Sequence, residues 1–591
     1  MHVMGWIQLA VFVVVLAAIT KPLGLYLVRV LDPEGRTYLE PVLKPVEKLV
    51  YKFIGAERTG EQDWKGYATS VLVFSVVGAL FTYAILRLQL FLPLNPQHLG
   101  TVSPDLSFNT AASFTTNTNW QNYGGETTMT YFSQMVGLAS HNFFSAATGI
   151  AVAAALVRGI ARQKTKFLGN FWVDLTRVCL YLLLPFCLVF AIFLLSQGVI
   201  QNFSHYAIAH VVEPYSVQVS GGASGNAVAV QKQITTQSIA MGPVASQEAI
   251  KELGTNGGGF MNANSAHPYE NPTPLSNFIE LISIFAIGSG LTYYLGRMVG
   301  NQKHGWSIWS AMLVLFLAGV IICWWSESRG NPRLTSLGVS SVQGNMEGKE
   351  VRFGPFDSAL FATVTTDTSC GAVNSMHDSY LPLGGLVPLF NMHMGCVVFG
   401  GVGAGLYGIL MFVVLAIFLA GLMIGRTPEY LGKKLESYDI MAAVLAILIP
   451  AAVLLGCTAL ACVSKWGLAG LGNSGPHGLS EILYAFTSAV NNNGSAFAGL
   501  NGNSVPYNTT LALAMLVGRF FVIIPILALA GNLVQKKAVP ISSGSMPVSG
   551  ATFAILIIGT VVIIGALTFF PVVSLSPVVE HFLMVHSTRL F

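Results

Sequence analysis

The chain has 591 residues, 53% of them hydrophobic and only 9% charged, with 30 Lys and Arg against 26 Asp and Glu for a net charge of +4. An average soluble domain has about a quarter of its residues charged, so this composition excludes a water-soluble enzyme and points to membrane lipid, not nucleic acid, as the surroundings. The small basic excess says little as a sum, but the positions of the basic residues set an orientation.

Crossing about 30 Å of hydrocarbon takes roughly 20 apolar residues in a helix. Such runs predict ten spans, at 7–29, 67–89, 130–157, 173–197, 275–299, 306–326, 403–425, 440–463, 511–534 and 551–574. The first run is too long for the apolar part of a signal peptide and has neither a basic segment before it nor an A-x-A-like site, so a retained helix is expected. After it, Arg36, Lys44, Lys48, Lys52, Arg58 and Lys65 crowd the first connection, and Arg158, Arg162, Lys164 and Lys166 crowd the third. Lys303, then Arg426, Lys433 and Lys434, then Lys536 and Lys537 mark later connections of the same parity. By the positive-inside rule these face the cytoplasm, and both termini face the exterior. Between the fourth and fifth spans, residues 213–235 alternate apolar and polar on both sides of a Gly/Ser turn, which predicts a small exterior β-hairpin.

The remaining connections repeat one pattern four times: a stretch of helical character about half a span long, then a polar turn, then an irregular return. The turns read S-F-T-T-N-T-N-W (113–120), L-G-T-N-G-G-G-F (253–260), T-D-T-S-C-G-A-V (366–373) and A-V-N-N-N-G-S-A (489–496). Aligned on Asn119, Gly259, Gly371 and Gly494, the preceding triplets are Thr116-Asn117-Thr118, Asn256-Gly257-Gly258, Thr368-Ser369-Cys370 and Asn491-Asn492-Asn493. A half-length helix cannot span but reaches the midplane as a re-entrant pore helix. All four enter from one side, so the repeats are parallel about an axis along the membrane normal. The expected fold class is an all-α integral membrane protein of four helix, pore helix, turn, helix units in a pseudo-fourfold ring, with one extra helix at each end. The boundaries are 1–66 for the first helix and its loop, 67–172, 173–305, 306–439 and 440–550 for the repeats, and 551–591 for the last helix.

Irregular backbone at membrane depth costs several kcal/mol per unpaired polar group unless it lines a wet cavity or binds something. A ring of such turns can point carbonyls at a desolvated cation, with glycines admitting backbone where a side chain would intrude and helix C-termini adding partial negative charge. The aligned segments 116–119, 256–259, 368–371 and 491–494 carry no Asp or Glu, unlike the acidic ring of a divalent-cation filter. A monovalent cation is the expected ion, and no organic cofactor is expected. A single Gly/Asn/Ser turn is also an ordinary outer loop; four copies between paired spans argue for a pore. Gly400, Gly401, Gly403, Gly405 and Gly408 fit either close helix packing or a bent or broken inner helix. Arg519, inside its span, is either functional or snorkels to the outer face, and Arg426, at a helix end, marks topology.

Seven cysteines show no CxxC pair, so no disulfide or metal framework is expected, and His393 with Cys396 reads as packing. No G-x-x-x-x-G-K-[ST] loop and no D-K-T-G motif is present, so no catalytic site and no ATP hydrolysis are expected in this chain.

The stretches S-F-T-T-N-T-N-W-Q-N-Y-G-G-E, G-T-N-G-G-G-F-M-N-A-N-S-A-H-P-Y-E-N-P, T-D-T-S-C-G-A-V-N-S-M-H-D and S-A-V-N-N-N-G-S-A-F-A-G resemble the potassium-binding A subunit of the bacterial Kdp potassium-transporting ATPase, over essentially the whole chain. The resemblance implies a K⁺-binding and K⁺-selective channel-like subunit in the bacterial cytoplasmic membrane, a P-type B subunit that hydrolyses ATP, and small C and F subunits. It implies a filter at Thr116 to Asn119, Asn256 to Gly259, Thr368 to Gly371 and Asn491 to Gly494. Gln121 matches a position linked to K⁺ affinity, Arg426 one associated with the gate, and Arg519 a basic position near the filter. A stand-alone K⁺ or Na⁺ channel or symporter of the same superfamily is the alternative.

Overall fold

A computed structural model describes residues 1–32, 35–57, 60–221, 228–540 and 546–586. Among them, ten helices are long and apolar enough to cross a membrane: Val3–Leu31, Trp64–Phe91, Ser133–Ala161, Phe171–Gln197, Pro274–Met298, Gln302–Ser336, Gly401–Met423, Ser437–Val463, Val505–Leu533 and Ala551–His586. Each coincides with an expected span. The last outruns its apolar stretch because it carries Pro571 and Pro577 through a widened turn at Ser574–Val578, which absorbs the proline's missing N–H without ending the helix.

Four shorter helices, Pro104–Thr115, Val244–Leu253, Gly354–Asp367 and Gly475–Val490, lie between successive pairs of spans. Three of them open with proline in the first turn, where its fixed φ starts a helix and its missing N–H is not needed. The third and fifth spans, which return from the first two turns, are buried almost throughout. The ninth span packs on the first pore helix and the third span, so the fourth repeat meets the first and the ring closes.

The inner helix of the third repeat is broken. Pro382–His393 ends in an irregular stretch with φ positive at Gly395, Cys396 and Phe399, and the helix restarts at Ala404 after Gly403, whose φ is +91°. A Cβ on Gly403 would lie 2.0 Å from the Gly149 carbonyl oxygen of the third span, and one on Gly288 would lie 2.1 Å from the Phe399 carbonyl. The glycine run thus breaks the helix and packs it closely, two readings that sequence alone holds as alternatives.

Two elements exceed the expectation. The hairpin pairs Ala207–Gly221 with Val228–Ile239, antiparallel with a register shift between His210 and Tyr215; its turn, 222–227, lies outside the described residues. In the first connection, expected as a basic loop, Glu40–Ile54 is a helix, too short and too charged to register as a span.

At the ends bearing basic residues, buried ion pairs join the spans. Arg158 makes two 2.7 Å bonds to the Asp174 carboxylate, which also accepts from the Tyr67 hydroxyl at 2.8 Å, and Arg158 Nη2 donates to the Leu31 carbonyl at 2.6 Å. One pair therefore connects four of the ten spans. Arg158 is accordingly a structural residue here, not a free loop charge.

Candidate functional site

Each pore helix ends in the same way. Its C-cap is Thr116, Gly254, Thr368 or Asn491. The next residue turns left-handed, with φ +66° at Asn117, +47° at Thr255, +51° at Ser369 and +52° at Asn492. The amide after that reaches back five residues: Thr118 to Ser113 at 3.0 Å, Asn256 to Lys251 at 2.9 Å, Cys370 to Thr365 at 3.0 Å and Asn493 to Ser488 at 2.9 Å. A non-glycine residue at positive φ costs of order 1 kcal/mol or more and persists only where its surroundings hold it.

This shared bond sets the register. The equivalent segments are Thr116–Asn119, Gly254–Gly257, Thr368–Gly371 and Asn491–Gly494, so the second turn sits two residues earlier than the sequence alignment on Gly259. Three consecutive glycines make several registers look alike in sequence, whereas the end of the helix allows one. Asn256 and Gly257 stay within the ring. Gly258 packs on the Asn119 carbonyl, and Gly259 lies one step further out, against the Glu270 carboxylate.

Every turn is tied to the next. Asn117 Nδ2 donates to the Thr255 carbonyl at 3.0 Å, and Asn256 Nδ2 to Asn117 Oδ1 at 2.7 Å and Asn119 Oδ1 at 3.0 Å. The Cys370 thiol donates to the Asn256 carbonyl at 3.1 Å. Ser369 Oγ donates to the Asn491 carbonyl at 3.2 Å and Asn493 Nδ2 to the Thr365 carbonyl at 3.0 Å. Asn492 Nδ2 donates to Thr118 Oγ1 at 3.0 Å and closes the circuit. Glycine fills the tightest contacts: an added Cβ would lie 2.6 Å from Gly371 Cα if placed on Gly257, and 2.0 Å from the Thr118 carbonyl oxygen if placed on Gly494. At the equivalent level of all four turns, the carbonyls of Asn119, Gly257, Gly371 and Gly494 accept no hydrogen bond among the described residues.

Next to the ring, Gln121 Nε2 donates to the Gly259 carbonyl and the Tyr123 hydroxyl, both at 3.2 Å, and so links the first turn to the second. On the other side, Val402 N donates to Thr255 Oγ1 at 2.8 Å, which hangs the break in the third inner helix from the second turn. A cavity of about 100 Å³ touches Ser369, Asn491 and Asn492 of the ring together with His393 and Arg519. Arg519 is 5% exposed and donates to the Ser145 carbonyl at 3.0 Å, so it does not snorkel outward. Among the described residues it forms no ion pair, leaving one fixed positive charge at the cavity wall. His393 stacks on Phe569 at 4.2 Å and fits the packing reading. Arg426 is exposed beyond the end of Ala404–Met423, a helix about 30 Å long, and takes no part in the ring.

Sequence reasoning misses what stands behind the second turn. Lys251 Nζ lies 2.6 Å from Glu248, 3.3 Å from Glu252 and 3.2 Å from Glu270, all fully buried, and also bonds Asn264 Oδ1 and Ser265 Oγ. The signal was E-x-x-K-E on one face of the pore helix, at i, i+3 and i+4. Burial outweighs Lys251 at Glu270 and pushes its carboxyl up to about 7. Glu270 also accepts from Met261 N at 2.6 Å, so this cluster fixes the outer edge of the G-G-G run. Glu248, Glu252 and Glu280 are close enough to hold a metal, as are Asp378, His477 and Glu481. The Lys251 ammonium already bonds two of the first three, and His477 already bonds Asp378.

Ten spans carrying four re-entrant turns that close one polar ring define a channel-like membrane transport protein with fourfold internal repeats. The potassium transporter TrkH of Vibrio parahaemolyticus shares this fold, with a TM-score of 0.51 over 86% of this chain and 96% of that one at 15% identity. The family of the potassium-transporting ATPase A subunit, KdpA, matches residues 10–582, and the chain belongs to it. It is 56% identical to the potassium-transporting ATPase potassium-binding subunit of Koribacter versatilis, over 99% of both chains. It is 58% identical to the subunit of the same name from Methylobacterium nodulans, over 98% of this chain and 97% of that one.

Proposed function

We propose that the chain binds and selects K⁺ at the ring of turns and passes it inward, as the channel-like subunit of an ATP-driven potassium importer. The observation that supports this best is the row of four equivalent carbonyls, at Asn119, Gly257, Gly371 and Gly494, with no donor among the described residues. Carbonyl dipoles replace the hydration shell of a monovalent cation, the pore-helix C-termini reinforce them, and the absence of carboxylates in the ring disfavours a divalent one. Thr116 to Asn119, Gly254 to Gly257, Thr368 to Gly371 and Asn491 to Gly494 form the filter, Gly258 and Gly259 shape its edge, and Gln121 sets its mouth. Arg519 holds the broken inner helix against the third span beneath it. Arg426 belongs to the surface through which the pore is coupled to a partner.

The energy comes from elsewhere. A cation moving inward gains about 2.3 kcal/mol per 100 mV, and each tenfold gradient against it costs about 1.4 kcal/mol, so potential alone fails when external K⁺ is scarce. The P-type B subunit supplies ATP hydrolysis, and small C and F subunits complete the complex in the bacterial cytoplasmic membrane, with both termini exterior. The curated relatives are named as potassium-binding subunits of such an ATPase, which supports this assembly over a free-standing channel or symporter.

Reconstitution tests the reading. Liposomes holding the chain alone are expected to show at most passive K⁺ flux, and ATP-dependent accumulation is expected only with a P-type partner. Accumulation by the chain alone would overturn it. Impermeant thiol reagent reaching a cysteine at position 162 from outside would reverse the orientation.

A further inference from the structure

The helix Glu40–Ile54 presents three faces to three different surroundings. Its first face docks on the protein. Glu47 Oε1 lies 3.3 Å from Arg177 Nη1 and accepts from Tyr51 at 2.8 Å, while Glu47 Oε2 accepts from Tyr181 at 2.7 Å. Arg177 in turn donates to the Val30 carbonyl at 2.7 Å and the Gly35 carbonyl at 2.9 Å. The helix is thus held level with the end of the first span and the beginning of the fourth.

The second face is apolar and open. Val42, Val46, Leu49 and Phe53 are 72%, 44%, 67% and 91% exposed, and their spacing of four, three and four residues makes one continuous stripe. The third face is basic: Lys44, Lys48 and Lys52 recur every four residues and are all exposed, Lys44 lying 2.9 Å from Glu40 on the same helix. At about 100° per residue, the docked face, the lysine row and the apolar stripe stand roughly 120° apart. An apolar stripe in water would be costly. A helix in the plane of a membrane boundary, docked sideways on the spans, turns one such face toward the acyl chains and the other toward the headgroups.

We propose that Glu40–Ile54 is an interfacial helix that binds anionic phospholipid, its lysines on headgroup phosphates and its apolar stripe between the acyl chains. The occupant is lipid, because the helix docks on the first and fourth spans, where Leu25, Leu184 and Phe186 are themselves exposed apolar side chains, and the row beside the stripe carries the charge that phosphate complements. Leu39 and Leu43 complete the docked side, and Gly55 ends the helix at φ +67°. The inference depends on the chain spanning a membrane, not on which ion the ring selects.

The test uses the full chain with its co-purifying partners, in vesicles of phosphatidylcholine with and without phosphatidylglycerol. Nitroxides placed singly at positions 46, 49 and 53 are expected to be quenched more by oxygen than by a nickel chelate, and those at 48 and 52 the reverse. Spin-labelled phosphatidylglycerol is expected to be immobilised in excess over spin-labelled phosphatidylcholine. That excess is expected to fall severalfold in high salt and in a variant combining Lys44→Gln, Lys48→Gln and Lys52→Gln, while the phosphatidylcholine signal is unchanged. Positions 49 and 53 open to nickel would overturn the proposal, as would their shielding from both reagents, which marks a polypeptide cover. An excess unaltered by the lysine changes would overturn it too. Should the triple variant fail to assemble, Lys48→Gln and Lys52→Gln singly are each expected to lower the excess, and the depth series stands independently.

Discussion

The ring and the Arg158–Asp174 pair are both polar regions buried among helices, and they are built oppositely. At the ring no ionised side chain joins the turns: neutral amides, hydroxyls, one thiol and backbone make every cross-repeat bond. At the pair, two full charges meet bidentately with both side chains 2% exposed. A fixed joint gains from complete charge neutralisation within the protein, because nothing there has to leave. A ring of the kind proposed here would bind a monovalent cation through carbonyl dipoles, with no fixed charge needed in the turns themselves. The same logic places the Lys251 cluster behind the second turn instead of in it.

The sharpest way to break that contrast is to remove one charge. Asp174→Ala leaves Arg158 buried and uncompensated, at a cost of about 3–5 kcal/mol. The expected result is a large loss of folded yield and of melting temperature in detergent, with unchanged K⁺ dependence in the fraction that folds. A shift in K⁺ affinity equal to the loss of stability would show that the two regions are not separable.

Next in size are the glycines of the ring. Gly494→Ala places a Cβ 2.0 Å from the Thr118 carbonyl at a φ of +99°, and Gly257→Asp and Gly371→Ala crowd each other's turn. The expected loss of apparent K⁺ affinity is at least about tenfold, or ~1.4 kcal/mol, with membrane expression nearly normal, read from K⁺-stimulated ATPase activity of the complex. Unchanged K⁺ dependence in all three would remove the filter assignment. Gln121→Ala deletes a single bridge between the first and second turns and is expected to weaken K⁺ roughly two- to tenfold, the worth of one hydrogen bond.

A separate prediction concerns a charged joint at the start of the fourth pore helix. His477 lies 3.1 Å from Asp378 and 2.7 Å from Glu580. Burial alone would lower its pKa, but the hydrogen bonds and charges of the two carboxylates raise it to about 10. A folded-state value above the unfolded 6.5 means the stabilisation is complete below about pH 6.5 and is lost as the pH rises through about 10. Melting temperature is therefore expected to decline between neutral pH and pH 10, and His477→Gln should flatten that decline. An identical decline in the variant would assign it to other groups.

Which residues were legible follows from what each depended on. The spans and the four half-length helices could be read because partition into hydrocarbon is a property of a local run of side chains, and the Gly/Ser turn with alternating flanks likewise announced the hairpin. Arg519 could be singled out as a charge inside a span, but whether it turns outward or inward depended on Ser145, 374 residues away. The helix Glu40–Ile54 has a legible 3.6-residue period in its lysines and apolar residues, yet a search tuned to spans passes over it.

Sequence by itself determined the membrane class, the number of spans, the repeat and the polar character of the turns, since each follows from composition within one segment. Tertiary structure alone decided the register of the second turn, the closure of the ring and the charges that stand behind it. The bonds that make those choices join residues as far apart as Thr118 and Asn492. Bonds between distant segments follow from how the helices pack, which no single segment of the sequence specifies.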